Sequence, residues 1–140
     1  MTIELRKSDI QSGSLYISGT YICDTEENPR TTLPAGEYKI TRHYCKQYGR
    51  FMPVIGEPHC ENCQQLPEEA VTLNSSMPQV CPMLKPGNGV PLREDGSIIL
   101  GTRIVPSCLK HTLQAFLPLA ERIRKAIARG HEVRLIVRDR

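Results

Sequence analysis

GSLYISGTYICDTEE, residues 13–27, decides the fold class. Leu15 and Ile17 alternate with polar neighbours, Ser18-Gly19 supplies a tight turn, and Tyr21 to Asp24 run back. Successive side chains of a strand point to opposite faces, so this pattern predicts a β-hairpin with one face buried. Cys23 falls at a position that faces the core.

The same reading extends outward. TIELRK, residues 2–7, alternates like a half-buried strand, and SDIQSGS supplies the turn before the hairpin. NPRTTLP reads as a loop leading into AGEYKITRHYC, where Tyr38 and Ile40 share one face and Lys39 and Thr41 the other. FMPVI at 51–55 is a further strand, and Pro53, lacking an N–H, confines it to an edge or an end. SIILGT at 97–102 is another. Near the end, Val133, Leu135 and Val137 alternate with Arg134 and Arg138, which predicts a closing strand.

One segment has a different period. Leu113, Phe116, Ala120, Ile123 and Ile127 recur at spacings of 3 and 4, with Ser107 as the expected N-cap and Gly130 as the stop. Pro118 is expected to kink this helix or begin a second one. Cys108 follows the expected cap and is read as structural. The fold class is therefore mainly β (α+β): a mixed or antiparallel sheet forming a sandwich or partly open barrel, with one substantial helix near the C-terminus. Residues 1–140 read as a single domain with a Cys/Pro-rich excursion at about 56–82, within which only AVTL looks strand-like.

Bulk properties narrow the function classes. A chain of 140 residues can bury a real core, and the 39% hydrophobic and 24% charged shares are those of a globular protein. A net charge of +3 is too small to argue for nucleic acid. Arg122, Arg124, Lys125 and Arg129 fall on the solvent face of the expected helix, with no interleaved aromatics to stack on bases. No apolar run is long enough for a membrane span. The start, MTIELRKSD, lacks a signal-peptide pattern, so a cytoplasmic location is expected. In such a compartment six cysteines point to thiols or metal ligands rather than a disulfide framework.

Two constellations carry candidate chemistry. In His59-Cys60-Glu61-Asn62-Cys63 a CxxC turn lets two thiolates meet one ion. Cys60, Cys63 and Cys81, with Cys45 or His59 as the fourth ligand, would suit a structural zinc that orders the excursion. A disulfide or redox pair and ordinary thiols are the alternatives, and Cys81 with His59 or His111 is a further candidate nucleophile and base. The second constellation is MLKPGNGVPLREDGSIILGT, residues 83–102, where Lys85 and Ser97 flank a turn-rich loop. Gly87, Asn88 and Gly89 supply positive φ, and Asp95-Gly96 is a hairpin signal. Lys85, beside Pro86, reads as solvated.

GSLYISGTYICDTEE, LPAGEYKI, YGRFMPVI, KPGNGVPLREDGSIILG and VPSCLKHTLQAF run in the order of a bacterial and phage domain-of-unknown-function family. That family resembles the L,D-transpeptidase catalytic domain. The resemblance covers nearly the whole chain apart from the Cys-rich excursion and implies an L,D-transpeptidase-like fold. It also places Lys85 and Ser97 where the family carries a His and a Cys. A thiolate is intrinsically nucleophilic, whereas Ser needs a positioned base and Lys must be desolvated to serve as one. The replacement therefore implies a catalytically degenerate module in a binding or accessory role, with a peptide, a cell-wall fragment or a protein as partner. The alternatives are a Ser/Lys or Cys-dependent peptidase or acyl-transfer enzyme, and a zinc-stabilised interaction domain. The edge strands of such a fold leave oligomerisation open.

Overall fold

A computed structural model of the chain describes residues 1–45, 48–56, 82–87, 96–106 and 108–139. The hairpin expected at residues 13–27 is formed by β2 (Ser12–Ile17) and β3 (Thr20–Glu26). Between them Ser18 and Gly19 take φ values of 52° and 78°. Paired left-handed residues match the right-handed twist of the flanking strands, so the turn sets the register.

From this hairpin the sheet grows both ways. β1 (Thr2–Lys7) pairs antiparallel with β2, setting Ile3 opposite Ile17 and Leu5 opposite Leu15. On its other side β1 lies parallel to β9 (Val133–Arg138). β9 then pairs antiparallel with β4 (Gly36–Cys45), which forms a hairpin with β5 (Arg50–Ile55). Beyond β3 come β7 (Ile98–Val105), the short β6 (Leu84–Lys85), and β8 (Cys108–Lys110), which pairs with β7. The strand order is β5-β4-β9-β1-β2-β3-β7-β6.

The two ends of that order meet. Val54 of β5 bridges Met83, and the Ile55 N–H donates to the Pro82 carbonyl at 2.8 Å. The sheet thus curls into a nearly closed barrel, the partly open barrel expected from sequence rather than a sandwich. Pro53 costs the β4–β5 ladder nothing. Its neighbour Ile55, two residues on, points its N–H away from β4, and residues two apart in a strand share that direction.

The helix, α1 (Thr112–Ala128), buries Phe116, Leu119, Ile123 and Ala126. Two expectations about it are corrected. The helix starts at Thr112, because residues 108–110 gain ladder bonds to β7 that a longer helix would lose; Ser107 lies outside the described residues. Leu113, expected in the apolar face, is 48% exposed, since the buried stripe runs through Leu119 and Ala126 instead. Pro118 stays inside one continuous helix on an exposed position. At its end the Gly130 N–H donates to Ile127 and the His131 N–H to Ala126, with Gly130 at φ 80°. This is a Schellman cap, and it aims the chain into β9. Arg122, Arg124, Lys125 and Arg129 all face solvent. Among the described residues no helix is long and apolar enough to cross a membrane.

A Cβ at Gly101 would lie 2.8 Å from the Lys110 carbonyl oxygen and 3.0 Å from Leu109 Cβ. Backbone cannot yield as a side-chain end can, so Gly101→Ala should cost about 1–3 kcal/mol in urea unfolding. Burial pushes the Cys23 thiol from 9.0 up to about 12. Between those values the native state holds a proton that the unfolded chain has lost. This contribution is complete below about pH 9 and fades as pH rises towards 12, at up to about 1.4 kcal/mol per unit. Stability of Cys23→Ala should accordingly fall less steeply above pH 9 than that of the parent.

Candidate functional site

The candidate residues Lys85 and Ser97 lie at the seam of the barrel. β6 runs parallel to β7, with Leu84 opposite Ile98 and Lys85 opposite Ile99. Just ahead of this pair the Ser97 hydroxyl accepts the Met83 N–H at 3.0 Å, and the Met83 carbonyl accepts the Ile98 N–H at 2.9 Å. Ser97 is thus bonded to a residue two positions from Lys85, at the head of the short parallel pair that holds Lys85.

Burial is the surprise. Lys85 is 2% exposed and Ser97 0%. The expectation of a solvated Lys85 is wrong, because β5 and β7 flank the segment on either side and the Pro86 turn comes only after it. The Lys85 ammonium sits 5.6 Å from the centre of the Tyr48 ring, within range of a cation–π attraction. Leu84, by contrast, belongs to the hydrophobic core.

The turn glycines serve this arrangement in a different way than expected. Gly87 has φ 118° and donates its N–H to Thr112 Oγ1 at 3.0 Å, tying the end of β6 to the first turn of α1. Gly96 has φ 85°, the value a glycine takes without strain. β6 and β7 run parallel, so no hairpin joins these two strands directly. Asn88 and Asp95 lie outside the described residues, as do His59, Cys60, Cys63, Cys81 and the AVTL segment. Cys45, the remaining suggested zinc ligand, is fully buried in the core, and Cys108 is half-buried in β8. His111 takes a left-handed φ of 55° just before α1.

Two polar clusters escaped the sequence reading. Arg103 donates from Nε to Glu26 at 3.0 Å and from Nη2 to the carbonyls of Thr25 at 2.5 Å and Gly13 at 3.3 Å. Its backbone N–H donates to Asp24 at 2.8 Å, and the Ser12 hydroxyl donates to Glu26 at 2.9 Å. One guanidinium therefore clamps β2, β3 and β7. At the barrel end Lys7 Nζ lies 3.2 Å from Glu27 and donates to the Leu33 carbonyl, while the Leu33 N–H donates to Glu27 at 2.8 Å. Burial pushes the Glu27 carboxyl up, and the Leu33 amide and Lys7 pull it back. The acidic run in DTEE, placed where a strand should be half apolar, was the available signal for both.

Ser97→Ala would leave the buried Met83 N–H without its acceptor. The expected loss is about 1–3 kcal/mol in urea unfolding. Ser97→Thr, which keeps the hydroxyl, should recover part of it.

Comparison of the chain with known protein families, with curated proteins and with solved structures finds no match.

Proposed function

We propose that this protein is a non-catalytic, L,D-transpeptidase-like module that works by binding a peptide or protein partner. The observation that carries the reading is the state of Ser97. A nucleophile has to meet a substrate carbonyl, and the Ser97 hydroxyl is fully buried and accepts a backbone N–H. At this position the side chain holds β6 in register. The barrel around it is a rigid frame, and binding is the activity a rigid frame with an inert centre can still perform.

One observation favours a second reading. Lys85 is buried, which is the environment a Ser/Lys acyl-transfer pair requires of its base. A single experiment separates the two. The protein is incubated with a fluorophosphonate and, separately, with a β-lactam, and acylation is located by peptide mass mapping. No adduct on Ser97 is expected, for the parent or for Lys85→Met. An adduct on Ser97 of the parent that disappears in Lys85→Met would replace the binding reading with the enzymatic one.

A further inference from the structure

β4 is longer than its partner. β9 pairs with it only from Gly36 to Ile40, ending at the pair Ile40–Val133. Among the described residues, β4 from Thr41 to Cys45 is paired on the β5 side alone.

The direction of its free backbone groups follows from the ladder. The Lys39 carbonyl accepts the Gly56 N–H, so residue 39 points its polar groups at β5. Alternate residues of a strand point alternate ways in the plane of the sheet. Thr41 and His43 therefore face β5, while Arg42 and Tyr44 direct N–H and C=O to the side that β9 has vacated. These are the donors and acceptors of an open strand edge.

That edge opens into a cleft of ≈ 570 Å³, in the size range of ligand sites. One wall is β4; the other is the turn from Gly130 to Glu132 that follows the Schellman cap of α1. Ile127 and Val133 supply its apolar part, and Lys39, Arg42, His43 and His131 supply cations or N–H donors. Glu132, the acidic member of the lining, has its carboxylate 3.4 Å from Arg134. Glu121, whose field reaches Arg42, is itself held by Arg124 at 2.5 Å. The Arg42 guanidinium stacks 4.4 Å over the Phe51 ring, which fixes it at the rim. An open edge, an apolar floor and a positive rim together specify an occupant.

We infer that the free edge of β4 from Thr41 to Cys45 receives an extended peptide segment with alternating acidic and aliphatic side chains, added as a further strand. Backbone bonds to Arg42 and Tyr44 supply affinity without sequence preference. The alternation supplies specificity: one set of side chains meets Ile127 and Val133, the other meets Lys39 and His43. This assignment rests on the binding-module reading above and names its site, away from Lys85 and Ser97.

The test uses the full chain and a blocked Glu-Val-Glu-Val-Glu peptide, with calorimetry for affinity and backbone amide NMR for the footprint. Binding is expected to perturb amides at 41–45 and 127–133. Affinity should fall at least tenfold when alternate peptide amides are N-methylated, and at least tenfold in K39E, while Lys39→Arg retains most of it. Equal binding of the N-methylated peptide, or of Lys-Val-Lys-Val-Lys, would overturn the inference, as would no binding at millimolar peptide. A footprint confined to residues around Lys85 and Ser97 would overturn the β4 site and leave the binding-module reading standing.

Discussion

Everything in this fold depends on where β9 lies. Its ladder with β1 on one side and with β4 on the other is the backbone connection between the N-terminal meander and the β4–β5 hairpin. Both contacts are long-range: Leu135 sits beside Ile3 and opposite Tyr38. Closing such loops costs entropy before any contact repays it, so these two ladders carry the largest closure cost of the sheet. The helix makes this possible by delivering the chain to the gap, and its glycine cap fixes the angle of delivery. Charged pairs then lace the outer face, with Arg134 bonded to Glu37 and Arg138 to Glu4, each at 2.8 Å. Exposed pairs of this kind contribute about 0–1 kcal/mol apiece, so they favour the register without deciding it.

The seam between β5 and β6 is the thin part. β6 is two residues long; it pairs with β7, and the residues just before it, Pro82 and Met83, close the barrel onto β5. Such a small contact area cannot rely on backbone bonds alone. Ser97 adds a side-chain acceptor for Met83, Gly87 fastens the far end to Thr112, and the Lys85 side chain is packed near Tyr48. Reactive potential and structural duty compete for the same atoms here. A hydroxyl engaged in holding a strand is poorly placed to attack, which links the geometry of the seam to the binding role proposed for the protein.

The strands were legible where burial is one-sided. In β1, β2 and β9 apolar and polar residues alternate because one face meets the core and the other meets water, and the period survives in the sequence. β8 was missed because three residues are too few to show a period. Lys85 was misjudged for a different reason. Its neighbours in sequence are turn formers, but its burial comes from β5 and β7, which local reading cannot bring together. The Arg103 clamp was hidden likewise, since Gly13, Asp24, Thr25 and Glu26 all lie far from it along the chain. The exposed Leu113 shows the limit of periodicity itself. A stripe at spacings of 3 and 4 can be drawn through more than one set of residues, and packing selects among them.

The parallel alignment of β1 and β9 also has a mechanical meaning. The chain enters at the start of β1 and leaves at the end of β9, and Met1 is already fastened to the head of β9 by bonds to Glu132 and Arg134. Tension applied between the two ends would drag these neighbouring strands past each other along their length. The hydrogen bonds between them would bear the load together, as a lap joint does, instead of opening one after another like a zip. The fold is therefore built to resist being pulled by its ends far better than being peeled at the β5–β6 seam.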